Sequence, residues 1–567
     1  MESASTASAT EAAPEDAKLH ERYQVVILAG GTGHKLRTFT ETCPKALLPI
    51  ANRPMIWYPM KMVEQYGFQE VIILTRTHME ADIRQALERQ QQETADIGVR
   101  WEVVAYEDED ELMDTFEALA HLEGHIQKDF FVLSCDLVGD ANLRALDGVH
   151  RQGGDESRNA CSILLGKYVE EPPKGKAPPK PQSKGIKQLV KDNPALCSAV
   201  LQYLPSPPAA SGVGFEEAPI ARVLRITDLE GKNLSDPKTR VCDEGGIMLL
   251  NKLAMHTFGC QFLMGTFQDL HVYLFSKSVL SLVRMKEQDD DQDDDEEDDD
   301  DDDDLDAGGG GGARGAGEGP RQSPPVKAFV QDIISIKKQL VPFLVRRQHS
   351  IDAEQWSGVS DPRAAPPVTH NEHLDANSIT LQDAATLKPR GAAEVRAYVQ
   401  EIFPLDSSHP SRTASVCERV MTKAMYRTLN LKLIGKDNTG LPLWLKPSRA
   451  DPDQKDTSIS KEELRFRSDN LFAPDSFPLL DNPNFSENGI KATKTVFGRN
   501  VRVGCKVKVS ESVIMDNVTI QDGCSLKGCI VGRGITINQG SVLKNYSAAE
   551  GEDIEPGEVW EDKDFNE

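Results

Sequence analysis

Val503, Ile520 and Ile537 stand seventeen residues apart, as do Val509, Leu526 and Leu543, and again Ile514 and Val531. Between these positions the apolar steps run six, five and six. The stretch VIMDNVTIQDGCSLK (Val513–Lys527) superposes on IVGRGITINQGSVLK (Ile530–Lys544), with Gly523 over Gly540. An apolar residue at every sixth position fits a three-sided parallel β-helix, in which each coil stacks its apolar corner on the one before. Val503, Val509, Ile514, Ile520, Leu526, Val531, Ile537 and Leu543 are the expected inward-facing residues of a short solenoid over 496–545. About three coils leave open ends, and unpaired strand edges invite a cap or a partner.

A second constraint lies near the other end, in VVILAGGTGHKLRTFTETCPKALLPI (Val25–Ile50). The apolar run Val25–Leu28 breaks into Ala29-Gly30-Gly31-Thr32-Gly33, a buried strand entering a glycine turn. Such a turn lets backbone N–H groups approach a phosphate. The dinucleotide fingerprint needs glycine where Leu36 stands, and the P-loop needs Gly-Lys-Ser/Thr where Gly33-His34-Lys35 stands. Strand and helix patterns then alternate. A helix opens at Pro54 with Ile56, Met60 and Val63 inward and ends at Gly67, and a strand covers Val71–Leu74. A helix over 79–92, a strand over Trp101–Tyr106, a helix over Leu112–Leu122 and a strand over Phe130–Leu133 follow. This order predicts a doubly wound, mainly parallel sheet with ligands at the carboxyl ends of its strands. Asp136, just past the last strand, reads either as a metal-binding carboxylate or as a cap on the next turn or helix.

The glycine turn followed by Pro44-Lys45 and Leu47-Leu48-Pro49-Ile50 resembles the signature of sugar-phosphate nucleotidyltransferases. That resemblance implies a loop holding a nucleoside triphosphate, with an arginine after the loop and a lysine after the proline neutralising the phosphates. Lys45 matches the lysine, whereas Lys35 holds the arginine position and Thr38-Phe39 replaces Pro-Leu. Lysine lacks the planar fork that grips a triphosphate bidentately. Asp136 matches the family's magnesium ligand. Asp114-Thr115 stands for a Gly-Thr at the base pocket, and Asp269-Leu270-His271-Val272-Tyr273 for the sugar-binding strand, with imidazole in place of glycine. These departures imply a fold kept after catalysis was lost. The candidate remnants of a nucleotide pocket are Gly31, Gly33, Lys35, Lys45 and Asp136; no catalytic residue, metal or cofactor is expected.

Charge is concentrated. Fifteen of the sixteen residues from Asp289 to Asp304 are acidic and carry most of the net −26. That balance argues against a grip on nucleic acid by net charge and leaves only a local basic patch as a route to direct contact. A like-charged run followed by a glycine tract reads as a tether, either a solubilising spacer or a lure for a basic partner. No stretch approaches the ~18 apolar residues of a membrane span. Ten scattered cysteines without a C-x-x-C pair fit free thiols of a reducing compartment, and residues 1–20 lack the apolar core of a signal peptide. Together they predict a cytosolic, cytoplasmic protein. Residues 1–22 are expected to be disordered. A nucleotidyltransferase-like domain is expected over 23–350, with disordered inserts near 170–218 and 286–325 and an amphipathic helix over Val330–Gln348. Flexible and connecting segments over 351–495, where Ala397–Phe403 and Arg419–Ile434 carry enough apolar residues for a small connecting structure, and an acidic tail over 546–567 complete the layout.

The order of domains, an α/β nucleotidyltransferase-like unit followed by a left-handed parallel β-helix of hexapeptide repeats, is shared by several families. Hexapeptide acyltransferases use a histidine base, and no histidine follows His409, so assembly becomes the expected role of the coils. Asn52-Arg53-Pro54-Met55-Ile56-Trp57-Tyr58-Pro59 and Pro342-Phe343-Leu344-Val345-Arg346-Arg347-Gln348 resemble segments of the gamma-subunit family of eukaryotic translation initiation factor 2B. That resemblance implies a non-catalytic role beside the epsilon subunit, supporting GDP/GTP exchange. The larger assembly would include the alpha, beta and delta subunits and act on translation initiation factor 2. The alternatives are an active or regulatory mannose-1-phosphate guanylyltransferase subunit, or a nucleotide or sugar-phosphate sensor.

Overall fold

The computed structural model describes residues 19–94, 97–107, 113–151, 159–168, 196–203, 221–228, 262–280, 333–347, 394–402, 416–434, 469–473 and 489–561, with Leu282, Leu445 and Phe466. The inserts near 170–195 and 286–325, and the segment 351–393, lie outside these residues.

The first half follows the apolar runs. Strand β1 (Tyr23–Leu28) is followed by helix α1 (Trp57–Gln65), strand β2 (Glu70–Arg76), helix α2 (Thr77–Thr94) and strand β3 (Arg100–Tyr106). Strands β4 (Asp129–Ser134) and β5 (Leu137–Gly139), helix α3 (Leu143–Arg151) and strand β6 (Asn159–Tyr168) come next. β1 lies between β2 and β4, parallel to both, and β3 extends the parallel set beyond β2. Ile73, Phe131 and Leu133 are fully buried on one side of this sheet, and Val26, Phe130 and Val132 on the other. Burial on both faces is what unbroken apolar strands require.

The remaining strands were not legible in order. β7 (Leu196–Tyr203), β8 (Ala221–Asp228), β9 (Phe262–Phe275) and β10 (Glu394–Ile402) complete a nine-stranded sheet, in the order β3-β2-β1-β4-β9-β6-β10-β8-β7. β9 is antiparallel to both β4 and β6, and its first half also pairs with β7. The sheet is therefore parallel at one end and mixed at the other. Residues 196–203 fall in the supposed insert near 170–218, and 394–402 in the supposed connecting region 351–495, yet both are strands of this sheet. Their partners are far away in sequence, as in β10 against β6, and local pattern does not reveal such pairings. The chain start is also less idle than expected, since Leu19–Arg22 is a helical turn with Leu19 buried. The later helical segment covers Ile336–Arg347, with a π-helical first turn at Ile336–Leu340.

The C-terminal repeat folds as read. Short parallel strands stack in three sheets at a seventeen-residue step, for example Val496↔Val513↔Ile530↔Ser547 and Val509↔Leu526↔Leu543. All eight predicted inward residues are buried in one cluster. The stack is longer than 496–545, because Leu471–Phe472 begins one sheet and Val559–Glu561 ends another. Residues 546–561, expected as an acidic tail, form most of a further coil with Trp560 stacked on Tyr546.

One face of the solenoid is not open. Val496, Val513, Met515 and Ile530 join the core that also holds Phe39, Ile50 and Met55 of the N-terminal domain. Helix α4 (Lys423–Leu433) seals this seam. Arg427 Nη1 donates to Gly528 O at 2.7 Å, Ala51 N donates to Asn430 Oδ1 at 2.8 Å, and Asn52 Nδ2 donates to Phe497 O at 3.0 Å. Among the described residues no helix is long and apolar enough to cross a membrane.

Candidate functional site at the strand ends

The glycine turn, the Pro44-Lys45 turn and the end of β4 meet where a doubly wound sheet presents its ligand crevice. The structure brings together Gly33, Lys45 and Asp136. A Cβ on Gly33 would sit 3.2 Å from Lys45 Cδ, so the lysine stem lies against the turn. Lys45 Nζ then reaches Asp136 Oδ2 at 2.5 Å. Gly31 is exposed with open space around it. Lys35, half-buried in the turn His34–Leu36, makes no contact with the Asp136 carboxylate.

A residue that sequence reasoning missed closes the site. Strand β11 (Cys417–Arg419) runs antiparallel to β5 and brings Arg419 beneath the end of β4. Its Nε donates to Asp136 Oδ1 at 2.9 Å, and its Nη2 donates to Oδ2 at 3.1 Å and to Ser134 Oγ at 3.3 Å. A two-pronged guanidinium grip of this kind is among the strongest charge-assisted contacts. The only sequence signal was a charged pair, Glu418-Arg419, set inside the apolar context Val416-Cys417 and Val420.

Asp136 is completely buried. Burial alone would push its carboxyl up, but the charges and hydrogen bonds of Arg419 and Lys45 outweigh it and hold the group well below the usual carboxylate range. Asp136 also accepts, through its backbone oxygen, from Val420 N at 2.9 Å. Both side-chain oxygens thus face fixed cations. Magnesium needs near-octahedral oxygen ligands at about 2.0–2.1 Å. The neighbouring carboxylates are engaged too. Asp269 accepts from His271 N at 2.8 Å and from Tyr273 Oη at 2.7 Å, and Glu418 accepts from Gln268 Nε2 at 2.8 Å. As they are arranged, the residues present do not fit a magnesium centre. Asp136 is the hub of an internal ion triad.

His271 lies in a bulge of β9 between Asp269 and Tyr273, at a backbone φ of 53°. Burial, with Arg419 beside it, pushes its imidazole well below the ordinary histidine range, so the ring is neutral at physiological pH. Asp114, expected beside the base pocket, has a structural partner. It caps the short helix Thr115–Ala118, accepting from Thr115 N at 2.6 Å, while Thr115 Oγ1 accepts from Ile336 N at 3.0 Å. Tyr106, stacked on His121, covers the turn at Gly30. A Cβ there would stand 2.5 Å from the phenol oxygen, so a larger residue would require the ring to shift.

Delivery of Arg419 depends on a second glycine. Gly139 in β5 has a φ of 136°, and a Cβ there would lie 2.1 Å from Val416 O and 2.6 Å from Cys417 Cα. These are backbone atoms and cannot swing aside. Gly139→Ala should therefore push β11 away and loosen the triad, costing about 2 kcal/mol or more. A urea melt with unchanged midpoint would show that β11 adapts without cost.

Comparison with known proteins agrees with this architecture. Residues 24–174 match the model of the nucleotidyl transferase family, and residues 486–550 match that of the GlmU-like C-terminal hexapeptide. A mannose-1-phosphate guanyltransferase of Aspergillus fumigatus is 30% identical over 154 residues, covering 27% of this chain and 39% of the relative. The corresponding enzyme of Hypocrea jecorina is 32% identical over 152 residues, or 26% and 38% of the two chains. Translation initiation factor eIF2B subunit gamma of Schizosaccharomyces pombe is 35% identical over 127 residues, 22% of this chain and 27% of the relative. The matches thus span two fifths or less of these relatives. The chain is built from a nucleotidyltransferase domain followed by a left-handed hexapeptide-repeat β-helix.

Proposed function

We propose that this chain is a non-catalytic subunit of the guanine-nucleotide exchange factor for translation initiation factor 2. In this reading it acts in the cytosol, pairs with an epsilon-type subunit and joins a larger assembly with alpha, beta and delta subunits. The observation that carries the non-catalytic part is the triad. Asp136, the carboxylate that the resemblance places beside a metal, has both oxygens taken by Lys45 and Arg419. Similarity to the gamma subunit of S. pombe supports the assembly part. The β-helix, unable to work by a histidine base, is then an assembly element.

A second reading, a mannose-1-phosphate guanylyltransferase subunit, is favoured by the similarity to the two fungal enzymes. Incubation with GTP, Mg²⁺ and mannose-1-phosphate separates the two. Loss of charge stabilisation in the transition state costs about a hundredfold or more per group, so no pyrophosphate release above background is expected. Robust release that disappears in Asp136→Ala would establish the enzyme instead. Affinity purification of the tagged chain from its own cells should recover an epsilon-type subunit; recovery of no exchange-factor chain would remove the assembly reading.

A further inference from the structure

The second sheet of the β-helix carries a stripe of like charge. Lys491 pairs in register with Lys508 on the next coil, and Lys527 with Lys544 two coils on. Lys508 stands opposite Ser525, two residues before Lys527, so the four lysines form two in-register pairs on one sheet, offset from each other by two residues along the strand. All four are exposed, with Lys494 and Lys506 exposed at the flanking turns. Lys544 has a partner, Glu561. Lys491, Lys508 and Lys527 have no ion pair among the described residues, and the nearest acid along the strand, Glu511, lies at the following corner. Strands in a sheet lie about 4.8 Å apart, and like charges directly opposite one another are destabilising. Placed on a chain with a net charge of −26, the stripe is a surface that wants an anionic cover.

The chain itself holds such an anion. We propose that the acidic run Asp289–Asp304 docks on the lysine stripe Lys491–Lys508–Lys527 of the same molecule. Charge complementarity selects this occupant: fifteen acidic residues stand in a run of sixteen. The run lies outside the described residues, and its midpoint is fourteen residues beyond Leu282. Fourteen residues span up to about 50 Å, and a run tethered within that reach of its site binds as an intramolecular partner. The contact is one of many weak, exposed ion pairs. Each is worth little alone and is screened by salt, so their sum depends on ionic strength. The inference is independent of the role proposed for the strand-end site.

Zero-length carbodiimide cross-linking of the full chain at low salt tests it, read by mass spectrometry. The Lys544–Glu561 contact is an internal control. Links from Lys491, Lys508 or Lys527 to residues 289–304 are expected, and they should be lost at about 1 M salt, where screening acts within ~3 Å. In an equal mixture of light and heavy isotope-labelled chains, the linked peptides should carry the same label. Deleting 289–304 removes no described residue. It should raise the acetylation rate of the three lysines by about threefold or more, in keeping with several modest ion pairs acting together. Formation of the Lys544–Glu561 link without the stripe links overturns the proposal. So do links of mixed label, or unchanged acetylation in the deletion.

Discussion

Arg419→Leu will destabilise the N-terminal domain by about 3–5 kcal/mol, because it leaves the Asp136 carboxylate buried with half its compensation gone. Asp136→Leu should cost a similar amount by stranding two buried cations, Lys45 and Arg419. The triple replacement Lys45→Met, Asp136→Leu and Arg419→Met should recover much of the loss, since a whole buried ion network can give way to packed apolar groups at little net cost. Urea unfolding at neutral pH measures all three. If Arg419→Leu melts with the parent, the triad is not holding β11 to β5. The pH dependence has a definite sign. The carboxyl of Asp136 titrates below its ordinary value of 3.8 in the folded chain, so its contribution is fully present above about pH 4 and fades as acid approaches the depressed folded value. The gap between the parent and Asp136→Leu should therefore narrow from pH 7 toward pH 2. A gap independent of pH over that range would mean that the ionised form is not what stabilises the site.

Val531→Asp will break the β-helix. Val531 is fully buried, in register with Ile514 on one side and Ala548 on the other. An unpaired carboxylate there costs several kcal/mol, whereas Val531→Ala should cost only about 1–3 kcal/mol for the lost packing. Limited proteolysis should cut the aspartate variant within 489–561 before it cuts 23–151. The neighbouring Ile530 belongs to the core shared with the N-terminal domain, so damage at this coil also loosens the seam under α4. On the assembly reading, the variant loses an epsilon-type partner in co-expression and pull-down while Val531→Ala keeps it. Retained binding by a chain whose coils have been digested would move the partner surface wholly onto the N-terminal domain.

The parts of this molecule that the sequence determined are those governed by local periodicity. A seventeen-residue apolar step has one regular solution, and every one of the eight residues assigned to the solenoid core is there. The alternation from Val25 to Leu133 likewise specified the parallel half of the sheet, because a strand buried on both faces leaves an unbroken apolar run. Gly33, Lys45 and Asp136 could be gathered on paper because they sit at ends of those strands and turns. Tertiary structure alone decided the rest. β7 falls in a stretch read as an insert and β10 in one read only as a small connecting structure, and their distant partners make them strands of the main sheet. Asp114 was legible as a charge, but its use as a helix cap depends on where the backbone puts the N–H of the next residue. The role of Asp136 turned on Arg419, 283 residues further along the chain. Whether a buried carboxylate binds a metal or an arginine depends on which charge the fold brings within hydrogen-bond reach, and a pairing over that separation leaves no periodic trace in the sequence.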